Sequence, residues 1–91
     1  MIATRLQISG RVQGVGYRDW LVAQAEAMAL SGWVRNRRDG TVEALLSGDP
    51  AAVAELLRAC QRGPRHASVL HIAEEPAEPV SEPGFYRLGT L

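Results

Sequence analysis

Gly10-Arg11-Val12-Gln13-Gly14-Val15-Gly16-Tyr17-Arg18 is the segment whose residue types and spacing could do chemistry. Three glycines within seven residues are too many for a strand or a helix interior, so Gly10 to Gly16 reads as a loop. It joins a strand end to a helix start, where backbone N–H groups lack intrahelical partners and the helix dipole adds positive potential. Glycines allow successive N–H groups to turn into one concave nest that suits an anion. Arg18 falls in the first helical turn beside it, with a planar guanidinium that can grip two phosphate oxygens at once. Anion binding here, through Gln13, Gly14, Val15, Gly16, Tyr17 and Arg18, is a physical expectation. The same glycines would equally serve a tight connection with Arg18 in solvent. The loop lacks the Gly-Lys-Ser/Thr ending of a nucleotide P-loop and the dinucleotide fingerprint. No Ser, Cys or His within it is placed as a nucleophile.

Asn36 is the second candidate. It shares a strand face with Val34, so if Val34 points toward the helices, Asn36 points into the same layer. A carboxamide is too weak to be a general base, but it can hydrogen-bond a water and orient it. Asparagine is also common before turns, and Asp39-Gly40 follows, so a turn role competes.

The elements that must position these groups follow from periodicity. Thr4 to Gly10 alternates, with Leu6 and Ile8 on one side, as a strand with one buried face. Arg18 to about Leu30 is a helix, with Tyr17, Leu21, Gln24 or Ala25, and Met28 in one stripe and Asp19 at its positive end. Gly32 to Arg37 is a second strand. Asp39-Gly40 makes a hairpin turn, and Thr41 to Ser47 is a third strand. Asp49 caps and Pro50 starts a second helix with Val53, Leu56, Leu57 and Cys60 on its apolar side. Gly63-Pro64 ends it. Ser68 to Ala73 is a fourth strand, Glu74 to Gly84 an exposed loop, and Phe85 to Leu88 a short fifth strand. The order predicts an α+β, ferredoxin-like β-α-β-β-α-β sandwich: an antiparallel sheet, two helices on one face, and a short fifth strand. That plan hosts many functions and decides none.

Gly10 to Arg18, together with Gly32-Trp33-Val34-Arg35-Asn36 and Asp39-Gly40-Thr41-Val42-Glu43, resembles the two signatures of the acylphosphatase family, in order and at fitting spacing. The match runs from about Leu6 to Val69 and weakens beyond. The resemblance implies a single ferredoxin-like domain over residues 1–91 that hydrolyses acyl phosphates to a carboxylate and inorganic phosphate. It implies Arg18 and Asn36 as the catalytic pair. The loop amides and Arg18 would hold the phosphoryl group while Asn36 aims a water in line with the leaving carboxylate. No cofactor and no metal are expected, because an acyl phosphate has a good leaving group and positioning with charge stabilisation can suffice. Two positions depart from the family. Ala29 stands where glycine is common at the first helix end, a place that often wants positive φ at a cost to alanine of about 1 kcal/mol. Tyr17 stands where phenylalanine is common, and is expected in the core with its hydroxyl reaching an edge.

Composition narrows the field. Ten basic and ten acidic residues balance, whereas nucleic-acid binders usually carry a basic excess. One cysteine, Cys60, excludes an intrachain disulfide and a cysteine-rich zinc site. No signal core or membrane-length apolar run is seen. A cytoplasmic monomer is therefore expected, with a small-molecule acyl phosphate as substrate, phosphate as product, and no nucleic acid or membrane partner. His66 and His71 are assigned no catalytic work, and Arg35, Arg37 and Arg38 read as a solvated hairpin face. Two rivals remain. One is a nucleic-acid-binding module on the same fold, disfavoured by 5% aromatics and none in the first and third strands. The other is an accessory module within a larger carbamoyl-transfer or maturation assembly; a chain finishing soon after the fifth strand favours a free-standing enzyme instead.

Overall fold

Residues 1–91 are described by a computed structural model, with elements β1 (Ile2–Arg11), α1 (Tyr17–Ala27), β2 (Ser31–Asn36), β3 (Val42–Gly48), α2 (Pro50–Cys60), β4 (Ser68–Ala77) and β5 (Phe85–Arg87). The strands form one sheet in the order β4-β1-β3-β2-β5. One face carries both helices. Leu6 and Ile8 of β1, Val34 of β2, and Val42, Ala44 and Leu46 of β3 join Tyr17, Leu21, Ala25, Val53, Leu56 and Cys60 in a single buried cluster. Removing each large apolar side chain from water stabilises the fold by roughly 1.5–3 kcal/mol. This is the ferredoxin-like arrangement expected from the element order.

Three differences from expectation go beyond a residue or two at a strand end. The sheet is mixed, not wholly antiparallel, because β5 pairs with β2 in parallel. The chain leaves edge strand β4, crosses the open face, and rejoins at the opposite edge beside β2. The crossing is tied down where Val80 N–H donates to the buried Ser47 hydroxyl at 3.1 Å. Strand β4 also takes in Glu74 to Ala77, which were expected to be loop. Pro76 is tolerated there because β4 is an edge strand with a ladder on one side only, and the Arg5–Glu75 ion pair at 2.6 Å joins it to β1.

The third difference is the end of α1, at Ala27 and not near Leu30. Ala29 has φ 57°, the left-handed conformation that its sequence position anticipated. Leu30 N–H bonds the Ala25 carbonyl at 2.9 Å and Ala29 N–H bonds the Glu26 carbonyl at 3.1 Å. Those two bonds make a Schellman cap with alanine where glycine is usual. The left-handed backbone costs alanine roughly 1–2 kcal/mol, partly offset because glycine loses about 0.4–1 kcal/mol more chain entropy on folding. Ala29→Gly is therefore expected to raise stability by about 0.5–1 kcal/mol, read as a higher urea midpoint with an unchanged m-value.

The hairpin arginines are not simply solvated. Glu43 is buried on the open face, and Arg5, Arg35 and Arg37 bond its carboxylate at 2.6, 2.7 and 3.2 Å. Arg35 also stacks on Trp33, 4.7 Å from the ring centroid. Burial alone would raise the Glu43 pKa; hydrogen bonds from Arg35 and Arg5 and the nearby charges of Arg35 and Arg37 outweigh it and hold the carboxyl below its usual range. Arg38 alone of the three stays exposed.

Candidate active site

Topology brings the candidate residues to one end of the sheet. Strands β1 and β2 both run antiparallel to β3, so they run in the same direction and finish at the same end, where α1 begins. Strand β5 parallels β2 and finishes there too. The loop and the hairpin are joined directly: the Gln13 side-chain amide donates to the carbonyls of Arg37 at 2.7 Å and Thr41 at 2.9 Å.

Within the loop, Gly14 has φ 72° and Gly16, the residue capping α1, has φ 80° and ψ 17°. No other residue between the end of β1 and the start of α1 has positive φ, so left-handed glycines alternate with Val15, the pattern that turns N–H groups into a nest. A Cβ added at either glycine would meet nothing within 4 Å, so the requirement is one of backbone conformation. Buried Val12 and half-buried Val15 pack on the core and anchor the loop. The backbone N–H groups of residues 13–19 donate to no group of the protein, and the first intrahelical bond is Trp20 N–H to the Gly16 carbonyl at 3.0 Å. Of the six expected phosphate-binding residues, then, Gln13 and Tyr17 have side chains committed elsewhere, and only their main-chain amides are free. Tyr17 is fully buried, and its hydroxyl reaches inward to the Cys60 carbonyl at 2.7 Å, not to an edge. Burial and Cys60 hold that phenol well above its usual pKa, and burial pushes the Cys60 thiol up to about 12, which leaves it inert.

Every cation of the chain other than the amino terminus and the histidines is an arginine. Among the four half-buried arginines, Arg5, Arg35 and Arg37 are satisfied by Glu43. Arg18 is half-buried and has no acidic partner and no hydrogen-bond acceptor. It lines a cleft of about 180 Å³ with Val12, Gly14, Gly16, Tyr17, Asp19 and Arg87.

Asn36 ends a row of side chains across the helix-facing side of the sheet: Ile72, Ile8, Val42, Asn36. The first three are apolar and buried. Asn36 is only 9% exposed, and its Oδ1 is the one buried side-chain polar atom of the protein without a hydrogen-bond partner. Such an atom forfeits about 1–3 kcal/mol of solvation, a cost that packing does not explain and that a catalytic role would. The turn role anticipated as the alternative is taken by Asp39, whose carboxylate accepts from the Thr41 N–H at 3.0 Å and from its hydroxyl at 2.6 Å. Sequence reasoning missed Asp19 and Arg87 as lining residues. Strict alternation after buried Phe85 places Arg87 on the helix-facing side and could have revealed it.

Fold and cleft together define a ferredoxin-like protein with a glycine-lined helix start and an unpaired arginine in its cleft, and with an unpaired carboxamide, Asn36, that ends β2 at the same end of the sheet without lining that cleft. The acylphosphatase family model matches residues 4–86. An acylphosphatase of Acidiphilium cryptum is 62% identical over 90 residues, covering 99% of each chain. The crystal structure of acylphosphatase from Bacillus subtilis superposes with a TM-score of 0.91 at 32% identity, covering 97% of this chain and 99% of that one. Full-length HypF, in a phosphate- and nucleotide-bound crystal form, contains the same fold over 12% of its length, with a TM-score of 0.88 and 25% identity across 98% of this chain. The chain belongs to the acylphosphatase family, and its enzyme class is that of an acylphosphatase.

Proposed function

We propose that this chain hydrolyses the carboxyl–phosphate bond of acyl phosphates by holding the phosphoryl group on the amides of residues 13–18 and the Arg18 guanidinium, while Asn36 orients the attacking water. The observation that carries this reading is the pair of unpaired groups at one sheet end: a half-buried guanidinium without an anion, and a buried carboxamide oxygen without a donor. A bound phosphoryl group completes the first, and a water held by it completes the second. The attacking oxygen approaches opposite the departing carboxylate, and its proton passes to a phosphoryl oxygen of the substrate; the one carboxylate lining the cleft, Asp19, is engaged by Arg87. Charge spreading over the equatorial oxygens is met by fixed N–H donors and Arg18, which need no reorganisation at the moment of reaction. His66 and His71 are exposed and take no part.

The reaction is proposed to need no metal, since the leaving carboxylate is stable and no three His, Cys, Asp or Glu side chains gather as a ligand set. No helix is long and apolar enough to cross a membrane. A lone buried cysteine fits a reducing compartment, proposed to be the cytoplasm. Arg35 and Arg37 are engaged by Glu43, which speaks against a nucleic-acid surface there. The test is benzoyl phosphate hydrolysis in excess chelator. Turnover unaffected by chelator and competitively inhibited by inorganic phosphate is expected; turnover abolished by chelator and restored by a divalent metal would overturn the metal-free mechanism.

A further inference from the structure

Arg87 enters the same cleft from β5, the strand farthest from β1 along this side of the sheet. Its backbone is fixed: Arg87 pairs with Val34, and the next N–H, of Leu88, bonds the Val34 carbonyl at 2.8 Å. Arg87 Nη1 donates to Asp19 Oδ1 at 2.5 Å, with side chains 45% and 72% exposed. An ion pair so exposed adds little to stability. Asp19 meanwhile is the one acidic side chain lining the cleft, where a negative charge opposes an incoming dianion. The contact to Asp19 occupies one of the five N–H donors of the guanidinium.

We propose that Arg87 is a second phosphoryl-binding residue and that Asp19 is its internal competitor, an anion that holds the guanidinium at the cleft until phosphate draws on it. This rests on the reading of the 13–18 loop as the phosphoryl site. The pair then sets the affinity for substrate and product together: Arg87 raises it, and Asp19 lowers it so that phosphate can leave.

A tether and a competing pair differ in sign. In a tether, Asp19→Asn and Arg87→Gln remove the same bond and act alike. In the proposed arrangement they act oppositely on the inhibition constant of inorganic phosphate, measured against benzoyl phosphate in full-length protein. Arg87→Gln is expected to weaken phosphate about 10-fold, the scale of one charge-assisted hydrogen bond, with Arg87→Lys recovering part of the loss. Asp19→Asn is expected to tighten phosphate roughly 3-fold or more, on the scale of a close charge pair in a partly wet site. Both variants moving phosphate affinity the same way, or neither moving it twofold while Arg18→Ala does, would overturn the proposal and leave the loop reading standing. Phosphate inhibition indifferent to Arg18→Ala would overturn the loop reading and this proposal with it. Should Arg87→Gln fail to fold, Asp19→Asn decides alone: tighter phosphate supports the competition, and unchanged or weaker phosphate ends it.

Discussion

Arg18→Ala is expected to lower kcat/KM for benzoyl phosphate by at least ~10²–10³-fold, the loss typical of one transition-state donor. The residue stands in the first turn of α1, half-buried, with no carboxylate to satisfy it. A cation so placed has lost part of its hydration and gained nothing inside the protein. Its removal should therefore leave stability unchanged or slightly higher, while activity and phosphate inhibition collapse together. Arg18→Lys should recover little. An ammonium supplies charge but not the planar fork that meets two phosphoryl oxygens at once. Steady-state kinetics and thermal melts on the same samples check this, and brisk turnover by Arg18→Ala would refute the assignment.

Asn36→Ala should show a different signature: kcat lower by ~10²–10³-fold, with the phosphate inhibition constant within about 3-fold of wild type. The carboxamide acts on water, not on the phosphoryl group, so ground-state binding survives its loss. Stability gives an independent reading. Asn36 extends an apolar row, and its Oδ1 is buried without a partner. Asn36→Leu, which fills similar volume without a polar atom, is expected to stabilise the fold by about 1 kcal/mol and abolish turnover, the trade-off of a position kept polar for function. A melting temperature that falls steeply in Asn36→Leu would mean that the carboxamide serves packing.

Local patterns made much of this legible. Asp49-Pro50 announces the start of α2, and the Asp49 carboxylate does accept the Ala52 N–H. Alternation in β1, β2 and β3 places Leu6, Ile8, Val34, Val42 and Asn36 in one layer. Glycine spacing marks the loop as a nest, whereas the strain at Ala29 is signalled only by the family resemblance, in which glycine is common at that position. What escaped depends on partners distant along the chain. The direction of β5 follows from a crossing over the open face, which a three-residue strand cannot announce. Pro76 reads as a breaker unless its strand is known to lie at an edge. Arg35 and Arg37 look solvated until β1 and β3 bring Arg5 and Glu43 beside them, and nothing local to Gln13 announces that its side chain holds the hairpin. Arg87 and Asp19 are 68 residues apart, and only the β2–β5 pairing makes them neighbours.

The inward turn of the Tyr17 hydroxyl has a mechanical consequence. Tyr17 opens α1, and its phenol grips the last carbonyl of α2 while its ring lies so close to Gly63 that an added Cβ there would sit 2.6 Å from Tyr17 Cε2. The ring is thus a strut, seated at one end on the turn after α2 and bearing at the other on the peptide units that line the cleft. A substitution around residues 60–67 that presses on this ring, remote from any reacting atom, is therefore expected to disturb the geometry of those amides.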